Sequence, residues 1–172
     1  MAVPRMTKAA VLELLDAHGV DLGAVKVAIV GIRGYYLNTM GKPGKNDRGI
    51  YDDALFVISK QSFDPFRANT DPSIMRKGIA TLVPGVYEAV KWRHKGKYPA
   101  LQIVRDRVTR DGMPGIDEGR HGINFHYGGK GTWSEGCQTL QRGDWPRFRS
   151  KVYSLMDAYG LEKVTYLLVE NK

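Results

Sequence analysis

Apolar residues recur every three or four positions in two stretches of the chain. Val11, Leu14 and Leu15 line one face of residues 8–17, with Thr7 as the N-cap and Gly19, after His18, as the terminating glycine. Trp145, Phe148, Val152 and Met156 line one face of a second helix over about 145–159, capped by Asp144 and stopped by Gly160. Between the two the spacing shortens and β-branched residues dominate. "VKVAIVGIRGYY", "IYDDALFVIS" and "GIATLVPGVYEAVKW" read as strands, the last broken at Pro84-Gly85. "YPALQIVRDRVTRDG" reads as one strand plus a turn, with neither face clearly solvated. "GINFH" is a short strand ending at His126, and "KVTYLLVE" is the last strand. Residues 38–49, "NTMGKPGKNDRG", read as a long polar loop. "FRANTDPSI" also reads as a loop, because Pro72 keeps Asp71 out of helix.

Helices at the two ends and strands between them predict an α+β chain. The expected architecture is a mostly antiparallel β-sheet, or a small β-barrel or sandwich, with an N-terminal helix and a helix after Cys137. A length of 172 residues suits one domain, 1–172, with residues 1–24 packed on it as a helical segment. No internal repeat and no low-complexity segment appears.

Composition narrows the chemistry. Apolar residues make up 42% of the chain, enough for a real core. A single cysteine, Cys137, excludes an intrachain disulfide and any structural zinc site built on two thiolates. The net charge of +8 favours polyanions such as nucleic acid, anionic lipid or an acidic cell envelope. The charge is dispersed, its longest cluster being "KWRHKGK", and no nucleic-acid motif accompanies it. The N-terminus lacks the long apolar core of a secretory signal, and no stretch approaches the roughly 18 apolar residues of a membrane span. The expected route is synthesis in the cytoplasm without a signal peptide, followed by action in the periplasm or cell wall after release.

The chemistry concentrates around Cys137. Four glycines stand in the ten residues "GGKGTWSEGC", a setting unlike the apolar periodic segment that holds a core cysteine. Gly136 frees the backbone to turn, and amides beside a nucleophile can form an oxyanion hole. A thiol needs a base to react at neutral pH. His126, eleven positions upstream at a strand end, is the first candidate, and His121 is its competitor. Asn124, on the same strand face as His126, is placed to set that imidazole's tautomer. Ser134 is placed to bond the loop backbone or to orient the imidazole. His94 lies in a basic turn and offers a substrate contact at the cleft rim; His18 is a helix-end residue. Trp133 is the best placed of four aromatic residues for stacking on a sugar, the others being Tyr35, Tyr36 and Trp92.

At "FHYGG" followed by "SEGCQTL" the sequence resembles the L,D-transpeptidase catalytic-domain family of bacterial cell-wall enzymes. The resemblance covers about residues 100–140. A longer pattern, "PGVYEAVKWRHKGKYPAL", "RDG", "GINFHYGG" and "SEGCQTL", covers most of the chain and is similar to phage and prophage proteins related to that fold, which implies a phage- or prophage-encoded divergent member. It implies Cys137 as acylating nucleophile, His126 or His121 as base, Ser134 as the motif serine, and Gly136 with Cys137 as oxyanion amides. Glu135 stands where the family has histidine. Gln138-Thr139 replaces an apolar-arginine pair, so no substrate-carboxylate arginine is carried over.

The expected function is therefore a peptidoglycan-active cysteine enzyme, acting on stem-peptide bonds through a thioester, with an endolysin-like hydrolase favoured over a transpeptidase. Catalytic residues are Cys137, His126, His121, Ser134 and Gly136. Substrate contacts are His94, Tyr127, Trp133, Gln138 and Asn124. The expected partner is bacterial peptidoglycan, with no nucleic acid, no cofactor, no metal and a monomeric state. Two alternatives stay open. One is a zinc peptidase using His121 and His126 with, as third ligand, His94 or an aspartate such as Asp106, Asp111 or Asp117. The other is a non-enzymatic glycan-binding phage module.

Overall fold

A computed structural model describes residues 3–171. Three helices, α1 (Lys8–Ala17), α2 (Leu22–Val25) and α3 (Trp145–Ala158), accompany eleven strands. In chain order the strands are β1 (Val27–Arg33), β2 (Asp53–Ser59), β3 (Phe63–Asn69), β4 (Ala80–Leu82), β5 (Gly85–His94), β6 (Tyr98–Ile103), β7 (Asp106–Arg110), β8 (Met113–Gly119), β9 (Asn124–Tyr127), β10 (Gln138–Leu140) and β11 (Lys163–Glu170). Eight of them close into a barrel in the order β1-β11-β5-β6-β9-β10-β3-β2, and β4-β7-β8 form a small separate sheet. The β1–β11 and β9–β10 pairs are parallel, and the other barrel pairs are antiparallel. The fold class expected from the sequence is thus the one observed.

β1 is buried along its whole length because it has a hydrophobic layer on each face. Val27 and Ile29 join a core with Leu55, Phe66, Phe125, Tyr166 and the stripe Phe148, Val152 and Met156 of α3. Ala28, Val30 and Ile32 join a second layer with Val11 and Leu15 of α1. That is why "VAIV" is a continuous apolar run rather than an alternation. Gly31 interrupts it for a steric reason: a Cβ there would sit 2.5 Å from the Tyr166 hydroxyl.

Both predicted helices form at their predicted places. Thr7 caps α1 by accepting the Ala10 amide, whereas Asp144 precedes α3 without a side-chain cap bond, and Pro146 opens that helix. Two strand expectations are corrected, and a third strand, β8, went unread in the sequence. Residues 66–69, expected in a loop, end the strand Phe63–Asn69, because β2 and β10 flank it and pair with it. The Asp71-Pro72 constraint acts only after Asn69. "YPALQIVRDRVTRDG" is two strands in different sheets, since the chain leaves the barrel between Ile103 and Asp106. β8, exposed through most of its length, carries no apolar periodicity that would betray it.

The long loop 34–52 is tied down by buried acids. Asp53 accepts from the Gly34 amide at 2.6 Å and from the amide and hydroxyl of Thr70 at 2.6 and 2.8 Å. Asp71 accepts from Asn46 Nδ2 at 2.7 Å, and Asp52 from the Asp47 amide at 3.0 Å. Burial, reinforced by Asp53, lifts the carboxyl of Asp52 to about 7 and that of Asp71 to about 8. Just beyond Asp71, Ser73 docks the cysteine loop: its amide donates to Ser134 O at 2.7 Å and its hydroxyl accepts the Ser134 amide at 2.6 Å. No helix among the described residues is long and apolar enough to cross a membrane.

Candidate active site

Cys137 sits one residue before β10, whose parallel pairing sets Gln138 opposite Phe125 and Thr139 opposite His126. This register brings the thiol beside β9. The Asn124 amide points at Cys137 Sγ from 3.4 Å. Gly136 is what lets the chain arrive there. Its φ is +133°, and a Cβ would lie 2.6 Å from the Ala80 carbonyl oxygen. Ser134, buried, braces the same turn by donating to Cys137 O at 2.6 Å and accepting the Gly136 amide at 3.0 Å. Of its two expected roles, Ser134 has the backbone one.

The thiol, His126 and His94 form one cluster. Cys137 Sγ and one ring nitrogen of each histidine all lie within 4.8 Å of one another. The two imidazoles stack, with centroids 4.3 Å apart and planes 21° apart. His126 Nδ1 meets the carbonyl of Tyr127 at 2.8 Å, so Nδ1 carries the hydrogen and Nε2 keeps its lone pair. Burial, with smaller contributions from His94 and Lys95, lowers the His126 pKa to about 4. Burial likewise lifts the Cys137 thiol above its ordinary value, against the Asn124 amide and Lys95. Near neutral pH the pair is therefore thiol and neutral imidazole, not a preformed thiolate–imidazolium. His126 is free to take the proton as the sulfur attacks.

The cluster opens into a cleft of about 510 Å³, also lined by Lys95, Tyr98, His121, Tyr127, Trp133 and Glu135. Trp133 is 71% exposed and is presented by a left-handed backbone, φ 48°. Lys95, also at positive φ, occupies the tight turn between β5 and β6, immediately after His94. Tyr98 packs edge-on against Tyr127.

Several expected residues stand differently. Asn124 does not touch the His126 ring; its Nδ2 reaches His94 Nδ1 at 2.7 Å, and the Tyr127 carbonyl orients His126 instead. The Gly136 amide is engaged by Ser134 and is not free for an oxyanion. Gln138 is fully buried between Gly136 O and the Tyr166 hydroxyl, away from the cleft. His121 lines the cleft with both ring nitrogens against carboxylates, Nδ1 on Asp106 and Nε2 on Asp117 at 3.0 Å. No ring nitrogen of His121 is left for the thiol. His94 belongs to the centre of the cluster rather than its rim. Tyr35 receives the Arg5 and Met6 amides and packs on Phe56, and Trp92 lies under Arg120; neither lines the cleft. Lys95 and Tyr98 were invisible in the sequence because only the β5–β6 turn carries them to the site.

The cluster has a soft-cation donor set, two imidazoles and a thiolate. His126 fits such a role, with Nε2 free and Nδ1–H on a carbonyl. His94 does not. Arg120, which can only donate, gives two bonds to Gln102 Oε1 at 2.9 and 2.5 Å. Gln102 Nε2 must then donate to Asn124 Oδ1, 3.0 Å away, and Asn124 Nδ2 must donate to His94 Nδ1. The Nδ1 lone pair is thereby occupied and Nε2 holds the proton. Comparison with protein-family models, with curated proteins and with solved structures finds no match.

Proposed function

We propose that the chain is a cysteine enzyme acting on peptide bonds of peptidoglycan stems, in the manner of the L,D-transpeptidase-like family its cysteine segment resembles. The observation that carries the reading is Cys137 Sγ in an open cleft beside an imidazole whose acceptor nitrogen is free. In the first half-reaction the sulfur attacks a stem-peptide carbonyl and its proton passes to His126 Nε2. Collapse of the tetrahedral adduct breaks the C–N bond, and His126 returns the proton to the departing amine, leaving a thioester. Water then attacks the thioester with His126 again as base, the C–S bond breaks, and the proton returns to the thiol. An amine in place of water gives transpeptidation; hydrolysis is the outcome we propose.

The cleft suits such a substrate. Lys95 and Glu135 offer opposite charges to a peptide bearing free carboxylate and amine groups, and exposed Trp133 offers a face for a sugar ring. The net charge of +8 favours retention on an anionic wall. Mass spectrometry of purified sacculi tests the reading. Wild-type protein is expected to release new muropeptides, and Cys137→Ser none. Binding to sacculi with no release by either protein leaves the glycan-binding module as the better reading.

The proximity of His94, His126 and Cys137 is the one observation favouring a zinc enzyme. A chelator would then abolish activity, whereas the thiol enzyme is expected to survive chelation and to lose activity to iodoacetamide.

A further inference from the structure

The described residues give Cys137 a base, but of the two amides expected to receive the developing oxyanion that of Gly136 is bonded to Ser134, which leaves at most the Cys137 amide. A tetrahedral adduct gains from a second donor at its oxygen. His94 lines the cleft next to the thiol, and among the described residues its ring has a single hydrogen-bond partner, the Asn124 amide at Nδ1. Its Nε2–H has no hydrogen-bond partner among the described residues, and one nitrogen of the ring lies within 4.8 Å of Cys137 Sγ.

Resting on the reading of Cys137 and His126 as the reacting pair, we propose that His94 donates from Nε2 to the substrate carbonyl oxygen, and that Arg120 is the positioning residue that fixes the required tautomer through Gln102 and Asn124. Each link follows from what the groups can do. Guanidinium has only donors, so Gln102 must present Oε1 to it and its amide nitrogen to Asn124 Oδ1. Asn124 then has only Nδ2 to offer, and His94 must accept on Nδ1. A free imidazole exchanges its proton between two nitrogens; this one is held in the form with hydrogen on Nε2.

The lock has a second consequence. His126 becomes cationic each time it takes the thiol proton. A cationic His94 stacked 4.3 Å away would oppose that step. Protonation of His94 requires a hydrogen on Nδ1, where Asn124 Nδ2 already donates, so the chain holds the neighbour of the base neutral. Burial, with Lys95 one residue away, acts in the same direction. Arg120 itself is steadied over the Trp92 ring at 5.0 Å, on the outer face of the same hairpin.

Long-range ¹H–¹⁵N spectra of the imidazoles, with activity on sacculi, form the test. In wild-type protein at pH 7.5 His94 is expected to show an unprotonated Nδ1 and a protonated Nε2. Arg120→Met, which keeps length but loses every donor, is expected to populate the other tautomer and to lower kcat roughly 10-fold, with KM little changed. Arg120→Lys, still a donor and still cationic, is expected to restore both. His94→Ala is expected to lower kcat about 100-fold, the scale of one lost oxyanion donor. Alkylation of Cys137 by iodoacetamide creates no oxyanion, so its rate in Arg120→Met is expected to stay within about twofold of wild type. A protonated Nδ1 in the wild-type spectrum would overturn the proposal whatever the activity. So would parallel loss of alkylation and turnover in Arg120→Met, which marks collapse of the site. Loss of the enzyme reading shows elsewhere, as wild-type turnover by Cys137→Ser.

Discussion

The imidazole of His94 lies flat against that of His126, centroids 4.3 Å apart, and the two rings are oriented by different partners. His126 is turned by the backbone carbonyl of Tyr127, its own strand neighbour, and His94 by a side chain from β9. The pair thus offers a free lone pair from one ring and an N–H from the other. Two chemically identical residues are given complementary roles by what stands behind them.

The pH dependence follows from the directions of the two shifts. His126 is held down to about 4, so it is already neutral above that value. The thiol is held above its ordinary range. Turnover of sacculi is expected to persist to about pH 5 and to fall near pH 4 as His126 gains its proton. Alkylation by iodoacetamide, which needs thiolate, is expected to climb without a plateau beyond pH 9. A plateau of alkylation between pH 5 and 7 would instead reveal a preformed thiolate–imidazolium pair.

Gly136→Ala is expected to dismantle the site. The backbone at φ +133° is strained for any residue with a Cβ, and that Cβ would meet the Ala80 carbonyl. A cost on the order of 1–3 kcal/mol from the backbone alone is expected. Thermal unfolding should register it, together with loss of selective Cys137 alkylation. Ordinary stability in Gly136→Ala would mean the turn adopts another conformation.

Asp71→Asn isolates a buried charge. Asp71 titrates near 8 in the folded chain and near 3.8 when exposed, so between those values the folded state binds more protons. Stability from this group is present at low pH and is lost as pH rises towards 8. The asparagine variant can keep its bond to Asn46 by rotation of that amide, whose Oδ1 has no hydrogen-bond partner among the described residues. Its melting temperature is expected to exceed that of wild type at pH 8.5, with the advantage shrinking at pH 5.

Trp133→Ala tests the cleft rim. The indole is 71% exposed, and its removal is expected to change stability by no more than about 0.5 kcal/mol. KM for sacculi is expected to rise several-fold while the iodoacetamide rate at Cys137 stays constant. An unchanged KM would remove Trp133 from the binding surface.

Local pattern alone determined a good deal of this protein. The stripe Trp145, Phe148, Val152 and Met156 marked α3, Thr7 and Gly19 bracketed α1, and the β-branched runs marked β1, β2 and β11, because helix and strand periodicities are properties of neighbours along the chain. The odd glycine-rich setting of Cys137 and the strand-end position of His126 were legible for the same reason. Tertiary structure decided the rest. Barrel closure made a strand of Phe63–Asn69 and split the segment after Tyr98 between two sheets. Pairing of β9 with β10 carried Gln138 into the core, and pairing of β5 with β6 brought His94, Lys95 and Tyr98 to the thiol. Which nitrogen of His94 bears its proton depends on Arg120, Gln102 and Asn124. Contacts between residues so far apart in sequence follow from strand register, and no local spacing encodes register.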